Sequence, residues 1–173
     1  MLTSAAPGDG TTTVASNLSI VMAQTGRKVV LIDGDLRQPR LHKIFRVSKS
    51  PGLSDVLTTN NPQDELARVV RLELETGVYL IPSGTSTTNI SSLFYSPRLS
   101  WLFARLRAEF DMVLIDTPPL MHLADARVLG RLADGVILVI RAGRTTTESA
   151  LSVSRRIAED GTWILGTVLN TWI

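Results

Sequence analysis

The chain has 173 residues, with 18 Lys and Arg against 16 Asp and Glu, two His and no Cys. That length fills one domain with a complete hydrophobic core, and zero Cys excludes disulfide frameworks, thiolate metal sites and cysteine nucleophiles. A formal charge of +2 gives no reason to expect a nucleic-acid partner, and the basic set is uneven, with 15 Arg to only three Lys (Lys28, Lys43, Lys49).

In chain order, a strand stub at 1–4 runs into a Gly-containing loop and then a helix-length segment at 11–25. Apolar runs at 28–33, 77–82, 111–116, 135–141 and 164–170 read as strands, and 97–110, 125–133 and 145–160 read as helices. The segment 82–92, dense in Ser and Thr, reads as a loop. Strands rich in Val, Ile and Leu on both faces, alternating with helices, predict one α/β domain: a doubly wound, mostly parallel sheet covered on two sides. No run approaches the ~18 apolar residues of a membrane span, and no signal-peptide pattern opens the chain, so a cytoplasmic location is expected. The first strand has only three residues before Ser4, and three residues follow Asn170. A domain cut from a longer protein is therefore expected.

Open parallel sheets bind ligands beyond the carboxyl ends of their strands. Those ends here read Thr3-Ser4, Asp33-Gly34-Asp35, Pro82-Ser83-Gly84, Asp116-Thr117-Pro118-Pro119, Arg141 and Asn170. A polar or turn residue closes nearly every strand at the edge where a site belongs.

The first of these loops, Ser4-Ala5-Ala6-Pro7-Gly8-Asp9-Gly10-Thr11-Thr12-Thr13, opens a helix. A Gly-rich strand-to-helix turn aims several backbone N–H groups at one point, and the helix N-terminus adds partial positive charge, so the point suits phosphate. The full pattern G-x-x-x-x-G-K-[ST] places Lys on the β/γ-phosphates and a hydroxyl on Mg²⁺. In this chain Ala5 takes the first Gly place, Gly10 the second and Thr12 the hydroxyl place, while Thr11 stands where Lys belongs. Taken alone, the loop also reads as an ordinary turn capping a helix. Asp33 and Asp116 favour the phosphate reading. Neighbouring strands lie about 4.8 Å apart, so two carboxylates ending strands beside the loop can meet one Mg²⁺, which commonly takes one or two carboxylates plus phosphate oxygens and water. An Asp at a strand end also serves as a turn or helix cap.

Ser4–Thr13, the run Val29-Val30-Leu31-Ile32-Asp33-Gly34-Asp35-Leu36-Arg37-Gln38-Pro39-Arg40-Leu41-His42 and the run Val113-Leu114-Ile115-Asp116-Thr117-Pro118-Pro119 resemble the bacterial tyrosine kinases. These are the cytoplasmic P-loop domains of exopolysaccharide and capsule chain-length regulators, built on the partition/Min-like fold. Gly52–Leu57, Asp125-Ala126, Val139–Gly143 and Gly166–Asn170 continue the likeness over essentially the whole chain. The resemblance implies that Gly8, Asp9, Gly10, Thr11, Thr12 and Thr13 hold the phosphates of ATP or ADP, with Thr12 on Mg²⁺. It implies that Asp33 and Asp35 assist attack by a tyrosine hydroxyl and help organise the metal. Asp116 would hold Mg²⁺ through water, and Asn170 would contact adenine, since an amide offers both a donor and an acceptor to a base edge. Arg37, Arg40, Arg141 and Arg144 read equally as phosphate contacts, interface charges or solvated surface. His42 and His122 read as packing or surface residues, and Trp101, Trp163 and Trp172 as packing residues.

The chain departs from the family pattern in three ways. Thr11 replaces the lysine. The run Asn89-Ile90-Ser91-Ser92-Leu93-Phe94 lacks the family's Pro and Glu. The C-terminal tyrosine cluster of autophosphorylating relatives, and the N-terminal helix through which relatives assemble into rings, are not in this sequence; its tyrosines are Tyr79, expected buried, and Tyr95. The implied function is an ATP- and Mg²⁺-binding tyrosine autokinase domain weakened by Thr11. It would work with a membrane-embedded chain-length determinant at the inner face of the plasma membrane, as a homo-oligomer and without nucleic acid. Two alternatives stand beside it: a pseudokinase that acts as a nucleotide-binding or structural assembly module, and a partition or Min-type ATPase.

Overall fold

The computed structural model describes residues 1–121 and 124–171, so His122 and Trp172 lie outside the described residues. Seven strands form one sheet: β1 (Leu2–Ser4), β2 (Val29–Asp33), β3 (Arg71–Glu73), β4 (Val78–Ile81), β5 (Met112–Asp116), β6 (Val136–Arg141) and β7 (Ile164–Asn170). Their spatial order is β3-β4-β2-β5-β1-β6-β7, and every pairing except β3 with β4 is parallel. The chain winds from β1 outward through β2 to β4, then crosses back through β5 to β6 and β7. The switch point lies around β1 and β5, where doubly wound sheets bind ligands.

The strands sort their side chains by alternation. Leu31 joins an apolar cluster with Leu2, Val29, Leu80, Leu114 and Val139 under helix α1 (Thr11–Gln24). Val30, Ile32, Ile81, Ile115 and Leu138 face the larger cluster on the other side. That cluster is filled from α3 (Leu53–Thr58), α4 (Pro62–Val69), α5 (Ile90–Phe94), α6 (Pro97–Glu109), α7 (Ala124–Leu132) and α8 (Thr147–Glu159). The remaining helix is the single turn α2 (Leu41–Ile44).

The six strands expected from sequence are present to within two residues, as are the four long helices. Several features differ. The stretch between β2 and β4 holds α2, α3, α4 and the antiparallel strand β3, and the last residues of the expected 82–92 loop begin α5 at Ile90. Trp163, expected to pack, is 78% exposed just before edge strand β7, beside which no further strand lies among the described residues. Trp101 does pack against the core. Tyr79 is half-buried, edge-on to Phe110 at 5.1 Å, and Tyr95 caps the end of α5 and is exposed.

Candidate functional site

The loop from Ser4 to Gly10 is tied by its own polar groups. Ser4 Oγ donates to the Ala6 carbonyl at 3.0 Å, and the Ala6 amide donates to Asp9 Oδ2 at 3.0 Å. Gly8 and Gly10 sit at φ +85° and +95°, a region that Cβ-bearing residues rarely adopt. Gly10 then starts α1, so the free amides of the first helical turn face the cleft. Asn170, at the end of β7, donates from Nδ2 to the Asp9 carbonyl at 2.9 Å, and a Cβ on Gly10 would collide with that same amide. A residue 161 positions away in sequence thus sits on the loop, because β6 beside β1 and β7 beside β6 carry it there.

Beneath the loop, Asp33 and Asp116 end adjacent parallel strands and stand directly opposite each other in register. Both are almost completely buried. Asp33 Oδ2 accepts from the Leu41 amide at 3.1 Å, but its Oδ1 and that of Asp116 have no protein partner. Burial, chiefly, and the nearby Asp35 charge push the Asp33 carboxyl up to about 7, against the pull of the Leu41 amide. Asp116 is raised well above the ordinary carboxylate range, first by burial and then by Asp33; the Thr12 hydroxyl beside it and Arg40 work the other way. Asp35 lies two residues further out, its Oδ1 accepting from the Arg37 and Gln38 amides at 3.1 and 2.9 Å.

Beside these carboxylates opens a cleft of about 930 Å³, lined by Gly8, Gly10, Thr11, Thr12, Thr13 and Asp35, with Arg37, Arg40, Lys43 and Arg141 as its cations; Asp33 and Asp116 are buried behind its lining. Asp9 turns inward and closes the loop rather than facing the cleft. Every site residue expected from sequence therefore lies at one edge of the sheet. Lys28 is at the opposite edge, over the rings of Phe110 and Tyr79 at 4.6 and 5.4 Å, and cannot stand in for a loop lysine.

One contact went unforeseen. Arg37 Nε donates to Asp125 Oδ2 at 2.7 Å, pinning the segment after β2 to the first turn of α7, where Asp125 is buried. Both residues stand in motifs visible in the sequence, but only the placement of α7 beside the site pairs them.

The arrangement offers backbone amides and a helix N-terminus for phosphate. Beside them it sets a hydroxyl and two buried carboxylates with unmatched oxygens, which suit a divalent cation. A buried carboxylate oxygen without a partner is costly unless a ligand completes it. Mg²⁺ takes few protein ligands and fills its shell with phosphate oxygens and water, which fits a pair of carboxylates at a phosphate loop.

Comparison with known proteins agrees with this architecture. Residues 3–164 match the AAA-domain family. The chain is 38% identical over 170 residues to the tyrosine-protein kinase YwqD of Bacillus subtilis, covering 98% of this chain and 70% of that protein. It is 36% identical to the tyrosine-protein kinase etk of Escherichia coli but spans only 23% of that longer protein. The kinase domain of the Escherichia coli tyrosine kinase ETK superposes with a TM-score of 0.93 over 99% of this chain and 66% of that one, at 36% identity. The septum site-determining protein MinD of Pyrococcus horikoshii, complexed with Mg-ADP, superposes with a TM-score of 0.81 at 27% identity, covering 98% of this chain and 68% of that one. The chain belongs to the bacterial tyrosine-protein kinases, a P-loop family with a mostly parallel seven-stranded sheet.

Proposed function

We propose that this domain binds Mg-ATP or Mg-ADP in the cleft and acts as a tyrosine autokinase domain whose phosphotransfer is weakened by Thr11. The observation that carries the reading is the pair of buried, partnerless oxygens on Asp33 and Asp116, which end adjacent strands beneath the phosphate loop. The amides of Gly8–Thr13 would cradle the phosphates. Thr12, Asp33 and Asp116 would hold Mg²⁺, which when bound neutralises charge on the phosphates. Asp35, which lines the cleft, and Asp33 behind it would assist attack by a tyrosine hydroxyl. Asn170 uses its Nδ2 on the loop, which leaves Oδ1 to accept from the adenine amino group.

Phosphoryl transfer depends on positioning and charge neutralisation, and removal of one preorganised donor commonly costs ~10²-fold or more in rate. Binding therefore survives the loss of the lysine better than catalysis does. The reading sets the domain at the inner face of the plasma membrane. There it would pair with a membrane-embedded chain-length determinant, assemble with other copies of itself and use no nucleic acid. Among the described residues no helix is long and apolar enough to cross a membrane.

The test is phosphotransfer to tyrosine by the full-length protein with its membrane partner. Thr11→Lys is expected to raise it ~10²-fold. If Thr11→Lys gives no gain, the lysine is not the limiting defect, and the second reading takes over: a pseudokinase that binds nucleotide and serves in assembly, which Thr11 itself favours.

A further inference from the structure

We infer that Arg141 supplies, from the neighbouring strand, the phosphate-facing cation that Thr11 leaves out of the loop. The inference rests on the nucleotide reading above and adds the residue that makes it workable in this chain.

Strand β6 lies beside β1 in parallel register, with Ser4 opposite Val139. Arg141 is two residues further on, so it rises beside the first residues of the phosphate loop. Its Nη1 donates to the Gly8 carbonyl at 2.9 Å. Its own amide donates to Thr145 Oγ1 at 2.9 Å, and the turn closes with the Arg144 amide on the Arg141 carbonyl at 3.2 Å. Gly8 permits the approach: it has φ +85°, and a Cβ there would press within 3.3 Å of Arg144 Nη1. Two guanidinium groups therefore crowd one loop glycine, on the side of the loop that faces β6.

Among the described residues Arg141 is the one cation of the cleft whose side chain bonds the loop itself, and of the others, Arg37, Arg40 and Lys43, only Arg37 is held in an ion pair. Arg37 is ion-paired with Asp125. Arg141 has no carboxylate partner among the described residues. One carbonyl occupies one of a guanidinium's five N–H donors, and a planar fork matches two phosphate oxygens. The ligand class is the terminal phosphate pair of a nucleoside di- or triphosphate. A lysine would reach this point from the start of α1; Arg141 reaches it from the end of β6, across the loop.

The test is calorimetry with Mg-ADP, and with AMP as the probe lacking the terminal phosphate. It uses the unmodified protein, Arg141→Gln, Thr11→Lys and the double variant, each first checked for a cooperative melt. Arg141→Gln is expected to weaken Mg-ADP at least ~10-fold while leaving AMP within ~2-fold. In the Thr11→Lys background the same change is expected to cost no more than ~3-fold, because the lysine restores the missing charge. Arg141→Lys keeps the charge but loses the fork. It replaces Gln if that variant does not melt cooperatively, and is expected to lose ~3-fold in the parent background and nothing beside Lys at position 11. Equal losses in both backgrounds, equal losses for ADP and AMP, or no loss at all would overturn the inference, since Arg141 would then only prop Gly8. ADP binding that requires Thr11→Lys would overturn it as well. The nucleotide reading itself stands wherever the unmodified protein binds Mg-ADP, whatever Arg141→Gln does, and fails if it does not.

Discussion

The two edges of the sheet are built on opposite terms. At the edge where the parallel strands begin, polar groups are matched: the Lys28 amide donates to Asp111 Oδ2 at 2.8 Å, and the Lys28 ammonium rests over Phe110 and Tyr79. At the edge where they end, Asp9 Oδ1, Asp33 Oδ1, His42 Nδ1, Ser83 Oγ and Asp116 Oδ1 are buried with no partner, and among the described residues no other buried side-chain polar atom lacks one. An unmatched buried group costs free energy that packing elsewhere must offset. One edge holds the domain together, and the other is held in an unfavourable state that a charged ligand would relieve. The difference fits a ligand site kept as an electrostatic arrangement in a chain whose loop carries Thr11 in place of lysine.

Two substitutions break or sharpen this contrast. The larger effect is expected from Gly10→Ala, which places a Cβ at φ +95° and against Asn170 Nδ2. It should destabilise the protein by ~2–3 kcal/mol in urea denaturation. An unchanged midpoint would show that Asn170 does not clamp the loop in solution. The smaller effect has the opposite sign. Asp33 carries a folded carboxyl raised to about 7, against an ordinary value of 3.8. Between those values the folded state holds a proton that the unfolded chain has lost, so this group's contribution to stability is full below about 3.8 and declines as pH rises through about 7. Asp33→Asn should therefore stabilise the nucleotide-free protein by ~1–3 kcal/mol at pH 8, with little change near pH 4. A destabilised variant at pH 8 would mean that the carboxylate is well satisfied, and the contrast between the edges would fall.

Most of the site was legible in the sequence because strand ends are. Asp33 and Asp116 each follow an apolar run that reads as a buried strand and Asn170 follows one that forms the largely exposed edge strand β7, and a parallel sheet places such ends along one edge. The contacts that depend on strand order were not legible. Nothing in the local sequence says that β6 lies beside β1, so neither Arg141 on Gly8 nor Asn170 on Asp9 could be read. The fold was least legible between β2 and β4. Strand β3 is three residues, Arg71-Leu72-Glu73, held by antiparallel pairing to β4 rather than by any apolar pattern of its own. Helix α3 depends on Asp55, whose Oδ2 accepts from the Gly52 and Thr85 amides at 2.7 and 3.0 Å, a contact set by the distant loop after β4. Helix α4 did carry readable signals: Pro62 in its first turn, Asp64 and Glu65 beside it, and Leu66 and Val69 three apart on its buried face. Trp163 shows the converse, a large apolar residue whose exposure follows from its place at the sheet's edge.

The most direct test of the central claim is the magnesium dependence of nucleotide binding, measured by calorimetry with ADP on the unmodified protein and on Asp116→Ala. The account predicts that Mg²⁺ strengthens ADP binding at least ~10-fold in the unmodified protein and has no effect in Asp116→Ala. Binding that ignores Mg²⁺, or no binding at millimolar ADP, would contradict it.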